Sequence, residues 1–225
     1  MKFLSYDSTF SQLLLKLCHS CFLNLIWFIC SIPIFTIGAS TTALYYSSLK
    51  IVRGDDRAPI RMFFKSFREN FRQATILWLI LLAAGLFLAG DGYIVYHLRA
   101  STVGAAAVMW TLVLALLIVV GIVYTIILIF VFPLVASVSN TNAAMLKNSL
   151  LVGIRYLFCT ILVFAVHFAM FFAVVSFFTP LMIFGEGLCA MISAYLMSNV
   201  LLICSYDPGE EAEADALIDG EEGIL

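Results

Sequence analysis

Few residues in this chain have the type and spacing to do chemistry. Cys18-His19-Ser20-Cys21 is a C-x-x-C, which in a thioredoxin-like setting would be a redox dithiol or half of a zinc site. Here it opens an apolar stretch with no second Cys/His pair nearby, so the two thiols read as packing residues on one helix face. His167 stands near the middle of a long apolar run, where an ionisable group is a functional candidate by default. No intramembrane acid accompanies it in the sequence. The reading is therefore a neutral imidazole acting as polar glue, bonded to a hydroxyl in the environment of Thr160 or Ser176. Asp91, between Gly90 and Gly92, reads as a solvated cap or a partner of Arg99, and Glu186 is read the same way. No paired acids, nucleophile–base set, nucleotide loop or ligand cluster is visible, so the expectation is a non-enzyme with no cofactor, no metal and no nucleic-acid site.

The elements that carry these residues are dictated by lipid. The chain is 63% hydrophobic and 12% charged, against about 25% charged in an ordinary soluble domain. Four apolar runs, Ala74–Tyr96, Gly104–Val131, Tyr156–Phe178 and Leu181–Cys204, each exceed the ~20 residues that cross a bilayer as a helix. The first apolar stretch is interrupted by Lys16, His19 and Asn24, and no cleavable signal peptide is evident. Buried free cysteine behaves as a small hydrophobe, so no disulfide framework is expected.

Charge is segregated along the chain. Seven bases lie between Lys50 and Arg72, and loop 133–155 adds Lys147 and Arg155, whereas connections 97–103 and 179–180 hold Arg99 alone. Positive residues are retained on the cytoplasmic side, which places loops 50–72 and 133–155 and the C-terminus in the cytoplasm. Tyr93, Tyr96 and Trp110 would then lie near the outer interface, and Trp78 and Tyr156 near the inner one. The segment 205–225, with eight acids, reads as a disordered, solvated cytoplasmic tail.

Residues 13–52 are the ambiguous part. Pro33 lacks an amide hydrogen and Gly38 relaxes the backbone, so this segment is either one kinked span or a broken hairpin. One span puts the N-terminus outside, and a hairpin puts it inside. Lys2 and Lys16 against Asp7 favour inside. Farther on, Ile60, Phe63, Phe64, Phe67 and Phe71 share one helical face, with Arg61, Lys65, Arg68 and Arg72 opposite. This pattern predicts an amphipathic elbow helix over 60–72 lying in the headgroup layer, rings toward lipid and cations toward phosphate. Small residues, including Gly85 and Ala89, mark a close helix contact, within the chain or with a partner.

The expected fold is thus all-α: a single polytopic transmembrane helical bundle over 1–204, with spans at 13–52 (broken at Pro33–Gly38), 74–96, 104–131, 156–178 and 181–204. That makes five crossings, or six if the first segment is a hairpin.

Residues 1–80 carry a more specific pattern: Asn24-Leu25-Ile26-Trp27, Ser31-Ile32-Pro33-Ile34-Phe35-Thr36-Ile37-Gly38-Ala39, Ala43-Leu44-Tyr45-Tyr46, Lys50-Ile51-Val52-Arg53, and Phe64-Lys65-Ser66-Phe67 with Asn70-Phe71. It resembles the YesL-like bacterial multi-pass membrane proteins, a family of unknown function. Cys18, Cys21 and the acidic tail lie outside that pattern. The resemblance implies a bacterial plasma-membrane protein associated with carbohydrate uptake or utilisation, and it supplies no catalytic residues. The expectation is a non-enzymatic accessory protein partnered with the phospholipid bilayer and with a membrane protein such as a sugar importer or sensor, its oligomeric state open. Arg61, Lys65, Arg68 and Arg72 are the candidate lipid or partner interface, and Pro33, Thr36 and Gly38 shape the broken segment. The alternative is a small transporter or permease-like subunit with its site at that break.

Overall fold

The computed structural model describes residues 9–55, 58–176 and 182–205 and is all-helical among them. Seven α-helices follow in order: α1 (Thr9–Cys30), α2 (Ile37–Val52), α3 (Pro59–Ser101), α4 (Ala105–Ser137), α5 (Asn142–Arg155), α6 (Leu157–Ser176) and α7 (Met182–Ser205), with one 3₁₀ turn at Ile34–Thr36. The segment 205–225 expected to be a disordered tail lies, beyond Ser205, outside the described residues. α3, α4, α6 and α7 each contain a stretch long and apolar enough to cross a membrane, and α1 is a shorter apolar helix. The chain is a polytopic helical bundle.

The first ambiguity is settled by one hydrogen bond. Trp27 Nε1 donates to Thr41 Oγ1 at 3.1 Å. Fourteen residues along a continuous helix would separate these groups by ~21 Å, so the chain must reverse between them. α1 and α2 are the arms of a hairpin, and Ser31–Thr36 is its turn. At 16 residues, α2 spans ~24 Å. It is short, but it is the most enclosed helix: Ala39, Ala43, Leu44 and Ile51 are fully buried, together with the hydroxyls of Ser40, Thr42 and Ser47. Small residues let α1, α3, α4 and α7 approach it on all sides.

α3 and α4 form a second antiparallel hairpin. Its register is marked by Arg99 Nε on Thr111 Oγ1 at 2.9 Å, Tyr124 OH on the Leu81 carbonyl at 3.0 Å, and the Trp78–Phe132 ring pair. A Cβ added at Gly85 would meet the Tyr124 hydroxyl at 2.6 Å. The small-residue cluster therefore serves contact within the chain. α6 and α7 form the third hairpin, with Gly185 seated on Met170 and Cys159 Sγ on the Leu196 carbonyl at 3.5 Å.

Two boundaries differ from the sequence reading. Residues 60–72 are not a separate elbow: they are the first turns of a 43-residue helix, ~65 Å long, that runs unbroken into the span. No Gly or Pro follows Pro59 before Gly85, so nothing interrupts the hydrogen-bond ladder where the composition changes. Likewise, the region 133–155 is largely helical. α4 continues through Pro133 to Ser137, and only four residues separate it from α5, with the Thr141 hydroxyl accepting from the Ala144 amide as N-cap. The chain does bend at Tyr156, whose backbone (φ -110°, ψ 46°) leaves the helix between α5 and α6. Thr160 Oγ1 bridges that break by donating to the Gly153 carbonyl at 2.8 Å.

Candidate functional site

Three features could act on something outside the bundle. The first is the hairpin turn. Pro33 sits in extended backbone (φ -73°, ψ 116°), which stops α1 from continuing. The Thr36 hydroxyl lies 2.6 Å from both the Cys30 and the Pro33 carbonyls, and its amide donates to Pro33 O at 2.9 Å. Trp78 Nε1 donates to the Ile34 carbonyl at 2.7 Å. The carbonyls freed by the break at Cys30, Pro33 and Ile34 are thus taken by protein donors. Gly38 is required for close approach: a Cβ there would meet the Ala74 carbonyl and the Trp78 Cβ at 2.5 Å each. Pro33, Thr36 and Gly38 therefore come together as one packed turn against α3.

The second feature is the cationic face of α3. Arg61, Lys65, Arg68 and Arg72 are all exposed and lie on one side of the helix. Among the described residues none of them is in an ion pair, and neither is Glu69, the only acid between Pro59 and Arg72. The opposite line, Phe63, Ser66, Ala74 and Leu77, is buried, with α2 packed along this part of α3 and Ser47 reaching the Pro59 carbonyl at 3.4 Å. This revises the expected face. Phe63 is buried and Phe67 packs on the core, but Ile60, Phe64 and Phe71 are exposed beside the cations. Packing on α2 claims only one of the two apolar lines. Arg61, Phe64, Lys65, Arg68 and Glu69 line a shallow open depression. Like charges at i, i+4, as at Arg61–Lys65 and Arg68–Arg72, weaken an isolated helix by a few tenths of a kcal/mol per pair, so those pairs cost local stability.

The third feature was missed in the sequence. His167, the eleventh of twenty residues in α6, has Nε2 3.9 Å from Glu186 Oε1 on α7 and 3.4 Å from the Tyr45 hydroxyl on α2. The expectation that no acid accompanies His167 is therefore corrected, as is the reading of Glu186 as a solvated cap. Thr160 and Ser176 are not its partners; Thr160 serves the break before α6. Next to Glu186, the buried Asn24 of α1 accepts from the Gly187 amide at 2.9 Å, tying a fourth helix to the cluster. The antiparallel pairing of α6 with α7 was the available signal, since it brings residue 186 back toward residue 167.

The remaining candidates are quieter. Arg99 bonds Thr111 rather than Asp91. Cys18 and Cys21 are free thiols, exposed and half-buried respectively. No group of three or more His, Cys, Asp or Glu among the described residues is arranged to hold a metal ion.

Neither the curated proteins nor the solved structures contain a match to this chain. A family does, over the segment that builds the α1–α2 hairpin, its turn and the cationic half of α3. Residues 21–91 match the family described as "Protein of unknown function, DUF624", in agreement with the YesL-like resemblance carried by the same residues.

Proposed function

We propose that this chain is a non-enzymatic accessory protein of the bacterial plasma membrane that docks through the cationic face of α3 and supports a carbohydrate uptake or utilisation system. The observation that carries the docking part is the row Arg61, Lys65, Arg68 and Arg72: four exposed cations without ion-pair partners among the described residues, held in line by a helix packed along its other side on α2. Such a row with exposed Phe64 and Phe71 beside it matches the chemistry of an anionic headgroup layer or of an acidic patch on a membrane-bound partner. The carbohydrate assignment rests on the YesL-like resemblance. In this reading the residues around Arg53, those around Asn140 and both termini lie in the cytoplasm, by the distribution of bases.

A photo-crosslinker placed at Phe64 in native membranes, followed by identification of the captured neighbours, tests the proposal. A sugar importer or a sensor should be captured. Recovery of lipid adducts alone, with the purified protein running without partners, would defeat it.

The transporter reading has one observation in its favour, the His167–Glu186–Tyr45 cluster half-way along α6. Against it, the carbonyls of the broken segment are occupied by Thr36 and Trp78. Sugar flux into proteoliposomes containing only this chain would favour the transporter, and its absence for the sugars tried would count for the accessory role.

A further inference from the structure

We infer that His167, Glu186 and Tyr45 form a proton-binding site between α2, α6 and α7, in which one exchangeable proton decides whether α6 is bonded to α2 or to α7. The inference is independent of the docking reading, since it uses none of the same residues.

The imidazole geometry fixes the tautomer. His167 Nδ1 lies 2.9 Å from the Val163 carbonyl, one turn back on α6. A carbonyl oxygen only accepts, so Nδ1 must carry a hydrogen. In the neutral ring Nε2 is then a bare acceptor, and the atoms facing it are the Tyr45 hydroxyl at 3.4 Å and Glu186 Oε1 at 3.9 Å. The Tyr45 hydroxyl can donate to that lone pair, which joins α6 to α2. When a proton from water adds to Nε2, both ring nitrogens become donors, the phenol hydrogen has lost its acceptor there, and the carboxylate of Glu186 is the group that pairs with the new cation. The bond then joins α6 to α7.

From α7 the ionisable neighbour is Cys189, with its Sγ toward the Val166 carbonyl. From α1, Ser20 and Asn24 lie against Gly187, next to Glu186, and neither side chain is ionisable. The His167 and Glu186 side chains each keep about 30% of their surface outside the protein, so the pair is not sealed within the bundle. Tyr45, by contrast, is buried.

Nitrogen NMR of protein labelled at histidine and reconstituted in lipid bilayers tests this directly. The chain has three histidines, and the spectrum of His167→Gln identifies the signal of interest. The expected result is a neutral form with Nδ1 protonated and Nε2 bare, giving way to the doubly protonated ring as the sample is acidified. In Glu186→Gln that conversion should move in midpoint, while Nδ1 stays protonated throughout. A neutral form with the hydrogen on Nε2, a ring that keeps one form at every pH at which the protein stays folded, or behaviour unchanged in Glu186→Gln would overturn the site. The tautomer is read on the unmutated protein, so the test survives if the glutamate variant fails to fold.

Discussion

Gly38→Ala and Gly90→Ala make the same chemical change in two helices, and the structure predicts opposite outcomes. At Gly38 the new methyl would meet the Ala74 carbonyl and the Trp78 Cβ at 2.5 Å and a Phe132 ring carbon at 3.1 Å. Two of these neighbours are backbone or next to it, so they cannot swing aside as the tip of a long side chain would. Overpacking of this kind costs about 1–3 kcal/mol. Displacing Trp78 also weakens its hydrogen bond to Ile34, worth about 1 kcal/mol net. Alanine recovers less than about 1 kcal/mol of helix propensity, because Gly38 is only the second residue of α2. The net loss is about 2 kcal/mol. At Gly90 there is no atom within 4 Å of the new methyl, so the variant should gain up to about 1 kcal/mol. For a chain of this size 1 kcal/mol is about 2–4 °C in melting temperature. Gly38→Ala should therefore melt about 4–8 °C lower, and Gly90→Ala about 2–4 °C higher, than the parent. A thiol-reactive dye that reports exposure of the buried Cys189 during heating in detergent gives both values. If Gly38→Ala matches the parent or exceeds it, the packed-turn account is wrong.

Other outcomes follow from the same contacts. Thr160→Val removes the donor that serves the Gly153 carbonyl across the α5–α6 break, so it should cost about 1–3 kcal/mol and speed hydrogen exchange around residues 153–160. Trp27→Phe deletes the bond to Thr41 and should loosen the α1–α2 hairpin by about 1 kcal/mol, with no further loss when Thr41→Ala is added; an additive double variant would contradict the contact. Replacing Arg61, Lys65, Arg68 and Arg72 by Glu should abolish capture of neighbours from position 64. In the unaltered protein that capture should fall with salt, as the screening length shrinks from about 10 Å at 0.1 M to about 3 Å at 1 M. Capture that ignores both changes would mean the row is only a solvated surface.

The sequence made the long spans legible because lipid demands runs of apolar residues whatever their neighbours are. The cationic row of 61–72 was legible too, since helical periodicity orders both of its faces. Its fate was not. Whether Phe64 and Phe71 face lipid or core depends on α2, whose Ser/Ala-rich surface covers Phe63 and Ser66 and leaves the rest. The break at Pro33 could be seen, yet its geometry could not, because a kink and a reversal use the same residues. Only the pairing of Trp27 with Thr41 distinguishes them. The proton site was hidden for a related reason: His167, Glu186 and Tyr45 come from three helices, and Tyr45 lies 122 residues from His167. Each alone has an ordinary explanation as polar glue or cap.

Side-specific labelling of single cysteines in an otherwise cysteine-free chain is the most direct measurement of the architecture on which the account stands. Lys2→Cys, Lys65→Cys and Ser101→Cys would be treated with a membrane-impermeant maleimide in intact cells and again after lysis. Reversal of the chain at 31–36 predicts that positions 2 and 65 react together, only after lysis, while position 101 reacts from outside. Reaction of positions 2 and 65 from opposite sides of the membrane would mean that residues 13–52 cross once, and the hairpin bundle would be wrong.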